Sequence, residues 1–128
     1  MRSKKPPPMK IRILSYKYLQ WRIGQLGSLL EELDSHNLSR LLKALDGLEM
    51  LIEDLAEVLA CSGNKHTTPY EAASKVEQRR AALRELLEES TGNDEELELG
   101  VVHLQRAIYK LARSLQATLA VAFPFSMN

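Results

Sequence analysis

A chain of 128 residues with 17 basic and 17 acidic side chains, 45% hydrophobic yet only 5% aromatic, is sized for one domain with a real core, and its zero formal charge argues neither for nucleic acid nor for a membrane surface. A single cysteine, Cys61, excludes an internal disulfide framework and fits a reducing, cytoplasmic compartment. No run approaches the roughly 20 apolar residues of a membrane span.

The charge is nevertheless polarised along the chain. Residues 1 to 30 carry seven bases, from Arg2 to Arg22, and no acid, whereas residues 31 to 57 carry eight acids against Arg40 and Lys43. The basic N-terminus has no uninterrupted apolar segment before a small-residue cleavage site, which argues against a secretory signal; its acid-free, partly amphipathic character leaves a mitochondrial presequence open. Residues 1–8, with Lys4, Lys5 and Pro6, Pro7 and Pro8, read as an extended, flexible basic arm.

Four helical segments follow, predicted over residues 9–34, 38–61, 69–89 and 94–121. In the first, Ile23, Leu26, Leu30 and Leu33 keep heptad spacing from Leu19, while Ile11, Leu14, Tyr18 and Trp21 wander around the surface. Gly24 and Gly27 each cost roughly 1 kcal/mol relative to Ala, which points to close backbone approach or a kink. Ser35 and Asn37 are candidate caps for the second helix. That helix carries the strongest pattern in the chain: Leu38, Leu45, Ile52 and Leu59 recur every seven residues with Leu41, Leu48 and Leu55 between them. Leu42, Leu51 and Val58 widen the stripe, while Lys43, Asp46, Glu53, Asp54 and Glu57 line the other side. Cys61 at its end reads as a buried small hydrophobe.

Ser62, Gly63 and Asn64 stop the second helix, and Thr68, Pro69 and Glu71 form a capping box for the third. The third helix has a thin stripe, Ala73, Val76, Leu83 and Leu87, broken at Arg79 and Arg80, and reads as peripheral. Its arginines require carboxylates, for which Glu53, Asp54 and Glu57 of the second helix are the candidates. Asp94, Glu95 and Glu96 favour the start of the fourth helix, whose stripe runs through Leu97, Val101, Leu104, Ile108, Leu111 and Leu115. An apolar tail, residues 123–128 with Phe123 and Phe125, closes the chain. Residues 9–122 thus read as one all-α domain, an antiparallel up-and-down four-helix bundle with coiled-coil-like seams.

Chemistry is sparse. A carboxylate-bridged di-iron site needs Glu followed three residues later by His on two helices, and no such pair exists; His103 follows Glu98 by five residues, and His36 and His66 fall in turns. Cys61 and His66 make two ligands, too few for structural zinc. There is no phosphate-cradling glycine loop and no serine in an elbow motif. Tyr16, Tyr18 and Trp21 beside the basic arm could contact nucleic acid, although they sit among apolar helical positions where packing is the default.

The acidic clusters carry one resemblance, across roughly residues 22 to 85. The strings Gln25-Leu26-Gly27-Ser28-Leu29-Leu30-Glu31-Glu32-Leu33 and Glu53-Asp54-Leu55-Ala56-Glu57-Val58-Leu59, followed by Tyr70-Glu71-Ala72-Ala73, Lys75 and Arg79-Arg80, resemble the all-α nucleoside triphosphate pyrophosphohydrolase (MazG-like) family. The resemblance implies a magnesium site built from carboxylate pairs on two successive helices. Here Gln25 and Ser28 stand at the first pair and Asp54 and Glu57 at the second, so only one helix supplies anions and the implied site is degenerate.

Three functions follow as expectations. The first is a non-enzymatic interaction module that self-associates or docks a partner helix through Tyr18, Trp21, Met50, Phe123 and Phe125, with no cofactor. The second is the degenerate pyrophosphohydrolase with Mg2+ at Asp54 and Glu57. The third is an organelle-targeted or nucleic-acid-contacting protein led by its basic arm.

Overall fold

The computed structural model of the chain describes residues 14–61, 68–89 and 94–122. Four helices account for nearly all of them: α1 (Tyr16–Glu32), α2 (Leu38–Cys61), α3 (Thr68–Glu89) and α4 (Asp94–Ala122). Each packs on its neighbour in sequence, and α1 also packs on α4, which closes the ring of an up-and-down four-helix bundle. No helix among the described residues is long and apolar enough to cross a membrane. Residues 1–13, 62–67, 90–93 and 123–128, on which the expected basic arm, turns and apolar tail with Phe123 and Phe125 fall, lie outside the described residues.

Local chemistry sets the described helix boundaries. α1 begins at Tyr16, where Ser15 in extended conformation caps it by accepting the Tyr18 amide proton on Oγ at 3.1 Å; the expected start near Met9 lies outside the described residues. The α1–α2 turn is built by Asp34, whose carboxylate accepts from the His36 amide at 2.9 Å, and by Asn37, whose Oδ1 accepts from the Arg40 amide at 3.1 Å and so caps α2. At α4, Asp94, Glu95 and Glu96 occupy the first turn, where the helix dipole favours anions.

The core follows the heptads. Leu19 and Leu26 of α1, Leu41, Leu45, Leu48, Leu55 and Leu59 of α2, Leu83 of α3, and Leu104, Ile108, Leu111 and Leu115 of α4 are fully buried. Each such side chain contributes about 1.5–3 kcal/mol relative to exposure. The α2 seam is shorter than its pattern suggests: Leu38, the first residue of the helix, and Leu42 at the margin of the stripe are exposed.

Three sequence expectations are corrected by the packing. α3 is not peripheral; its contact with α4 is the most extensive in the bundle. A Cβ added at Gly100 would meet Leu83 Cδ1 at 3.0 Å, so glycine on α4 lets α3 approach closely. Gly24 and Gly27 permit no such close approach among the described residues, since a Cβ on either meets nothing there within 4 Å. Cys61 is free and exposed rather than buried, being the last described residue of α2.

Candidate docking groove between helices α1 and α2

The α1–α2 seam is the most open of the four helix contacts. A groove of about 790 Å3 runs along it, lined by Trp21, Gly24, Gln25 and Ser28 of α1 and by Gly47, Met50 and Asp54 of α2, among others. Gly24 and Gly47 bring no side chain to its lining, and among the described residues no neighbouring side chain lies within 4 Å of where their Cβ atoms would be. Trp21 and Met50 line it with 53% and 73% of their surface exposed. At one end the groove shares Met50 and Asp54 with a concavity of about 390 Å3 that also includes Glu53 and Glu57.

Arg22 organises the α1 side. It lies three residues after Leu19 and four before Leu26, on the inward stripe, and is only 7% exposed. A guanidinium in that position requires an anion and hydrogen-bond acceptors. Asp54 of α2 supplies the anion, at 2.5 Å from Nη2. Nη1 donates to Gln25 Oε1 at 2.6 Å, and Nε donates to the Tyr18 hydroxyl at 3.1 Å. Tyr18 in turn donates its hydroxyl proton to Asp54 Oδ2 at 2.6 Å, so the ring of bonds is closed.

The same guanidinium stacks on the exposed indole, with Cζ 3.9 Å from the Trp21 ring centroid and 5.2 Å from that of Tyr18. Tyr18 and Trp21 meet edge to face at 5.8 Å and 75°. The exposed tryptophan is therefore fixed in place by a buried ion pair. Rigid aromatic anchors lose little conformational entropy on docking.

The arginine of α3 that needs a carboxylate is Arg80, 7% exposed, while Arg79 is exposed to solvent. Its partners are not Glu53, Asp54 or Glu57. Nη2 lies 2.7 Å from Glu77 Oε2, one turn back on α3, and 3.6 Å from Glu49 Oε2 of α2. The Glu77 hydrogen bond raises the Arg80 pKa above its ordinary value against the opposing effect of burial. Arg84 pairs with Asp46 at 2.7 Å and with Glu88 at 3.2 Å. The antiparallel register of α2 and α3 explains the shift: residues 80 and 84 meet 49 and 46, in the first half of α2, and Asp54 lies further along, where Arg22 claims it.

Of the positions singled out by the pyrophosphohydrolase resemblance, Gln25, Ser28 and Asp54 do come together on this groove, and Glu57 lies on the adjoining concavity. What sits between Gln25 and Asp54 is the Arg22 guanidinium. A carboxylate already neutralised by arginine is a poor ligand for a hard cation, and no cluster of three or more His, Cys, Asp or Glu residues suited to a metal occurs among the described residues. Ser28 has no imidazole, lysine or thiol among the described lining residues to activate it. His36 is exposed, 3.4 Å from Glu98, and His103 is half-buried on α4.

Sequence reasoning missed Arg22 as a structural centre and Gly47 as part of the groove lining. The signal for Arg22 was present, since a base interrupts the stripe at the position between Leu19 and Leu26. Fold and site together define an all-α bundle whose open helix seam carries exposed apolar side chains. No protein-family model, curated protein or solved structure matches this chain.

Proposed function

We propose that the protein is a non-enzymatic helical docking module that receives an apolar helical surface in the α1–α2 groove. One observation carries the reading: exposed Trp21 of α1 and Met50 of α2 line a groove in which, among the described residues, nothing fills the space beside Gly24 and Gly47. Glycine inside a helix costs roughly 1 kcal/mol relative to alanine, and none of the described residues fills the space beside Gly24 or Gly47. Backbone exposed in that way admits a partner helix at close range, and the pinned indole offers it a preformed anchor. The Arg22–Asp54 pair weighs against the pyrophosphohydrolase alternative, because it commits to structure the carboxylate that magnesium would need.

Trp21 is the one tryptophan in the chain, so its fluorescence reports the groove directly. Selection of helical peptides from an amphipathic library should yield binders that shift Trp21 emission to the blue. Gly24→Leu together with Gly47→Leu should abolish their binding while helical circular dichroism is unchanged. A library that returns no groove-dependent helix refutes the reading.

A further inference from the structure

We propose that the outward face of α4 is a self-association surface, on which a second copy of this chain docks its own α4 in antiparallel fashion about a twofold axis at the level of Leu104. The face is separate from the α1–α2 groove, and the proposal stands without the reading of that groove. Opposite the buried stripe of α4, a second stripe runs through Glu95, Leu99, Val102, Arg106, Tyr109 and Arg113 in alternating steps of four and three residues. All of them are exposed, Leu99 and Tyr109 at 55% and Val102 at 37%. Leu30 of α1 adds apolar surface beside it, in a concavity of about 430 Å3 that Val102 and Tyr109 also line. A heptad stripe that faces water has the pattern of a coiled-coil seam without its second strand.

Charge identifies the second strand. Within α4 the acids end at Glu98 and the arginine and lysine side chains begin at Arg106, so the two halves of the helix carry opposite signs. Glu95, Arg106 and Arg113 form no ion pair among the described residues; Arg113 instead stacks on Tyr109, with Cζ 5.8 Å from the ring centroid. An antiparallel second copy lays acid against base at both ends, whereas a parallel one sets Glu95 on Glu95 and Arg113 on Arg113. A uniformly acidic or uniformly basic helix would be repelled by one half of the face.

Stripe and charge select the same register. With the axis level with Leu104, midway between Val102 and Arg106, Leu99 meets the second copy's Tyr109 and Glu95 meets its Arg113, each contact being made twice by the symmetry. Val102 packs on the aliphatic stem of the second copy's Arg106, whose guanidinium turns out to water. The two copies of Arg106 flank the axis and repel each other, so this layer fixes the register at a cost in affinity. The overlap from residue 95 to residue 113 is about 27 Å long and one helix wide, below the area of standard interfaces, which places assembly at micromolar concentrations or weaker.

Sedimentation equilibrium of the full chain from about 5 to 500 micromolar, with Trp21 emission recorded on the same samples, tests the proposal. The average mass should rise from 14.5 kDa toward twice that value while the emission stays constant, since Trp21 lies on the α1–α2 groove. Tyr109→Ala, at an exposed position where helicity should be unchanged, should raise the dissociation constant about tenfold. Arg106→Leu should lower it several-fold, by removing the repulsion at the axis and adding apolar contact with Val102. Glu95→Lys and Arg113→Glu should each weaken assembly, and the two together should restore it. Residues 95 and 113 lie about 27 Å apart along one helix, so that rescue arises only between chains. A 14.5 kDa species at every concentration overturns the proposal. So does a dimer indifferent to Tyr109→Ala and Arg106→Leu, or one whose formation shifts Trp21 emission to the blue, which would place the contact on the groove. Charge reversals that each weaken assembly without mutual rescue overturn the antiparallel register.

Discussion

Asp54→Asn tests whether the buried ion pair organises the α1 side of the groove. The substitution keeps the shape of the side chain and removes the charge that faces Arg22 Nη2 at 2.5 Å. Truncating one member of a fully buried pair costs about 3–5 kcal/mol because a charge is left without compensation. Arg22 would keep Gln25 Oε1, the Tyr18 hydroxyl and the Trp21 face, which lowers the expected cost to about 2–3 kcal/mol, in the range of hydrogen bonds to charged groups. For a chain of this size roughly 3–5 °C of melting temperature is lost per kcal/mol, so the midpoint should fall by about 6–15 °C. Thermal circular dichroism at the helical band, with urea titration as an independent measure, reads the change. The double variant Arg22→Met with Asp54→Leu should recover most of the loss, since a buried pair replaced by apolar groups of similar volume is often neutral. A cost below about 0.5 kcal/mol for Asp54→Asn, within the range of ordinary surface substitutions, would refute the argument.

The same structure fixes other outcomes. Gly47→Ala and Gly24→Ala should each stabilise the single chain by up to about 1 kcal/mol in urea unfolding, since the new methyl meets none of the described residues and alanine favours helix. Gly100→Ala should gain less or lose stability, because its methyl presses on Leu83 at 3.0 Å; equal gains at all three glycines would contradict the close α3–α4 approach. Arg80→Met should change stability by less than about 1.5 kcal/mol, whereas Leu48→Ala in the α2 seam should cost about 2–5 kcal/mol; chemical denaturation separates the two. Magnesium at millimolar levels should leave the melting temperature unchanged, and no nucleoside triphosphate should be cleaved to its monophosphate. Magnesium-dependent stabilisation that disappears in Asp54→Asn and Glu57→Gln would sink the docking reading in favour of the enzyme.

Heptad spacing in α2 and α4 was enough to define a four-helix bundle, because a stripe of Leu45, Ile52, Leu104 and Ile108 has no stable fate other than burial against like stripes. Helix boundaries were legible to the extent that side chains close on their own backbone: Asn37 announces α2, while Ser15 was passed over because the apolar pattern continues upstream of it. Pairings across helices were beyond the sequence. Arg80 was recognised as needing a carboxylate, yet whether Glu49 or Asp54 would meet it depends on the register of α3 against α2, which no local pattern encodes. The glycines show the same division. Their cost to a helix is readable from composition alone, but only tertiary packing decides that Gly100 is filled by Leu83 while Gly24 and Gly47 open onto a groove. The sequence alone determined the apolar stripes and hence the bundle; the mutual rotation and register of the helices, set by packing between distant side chains, decided which charges met and which face stayed open.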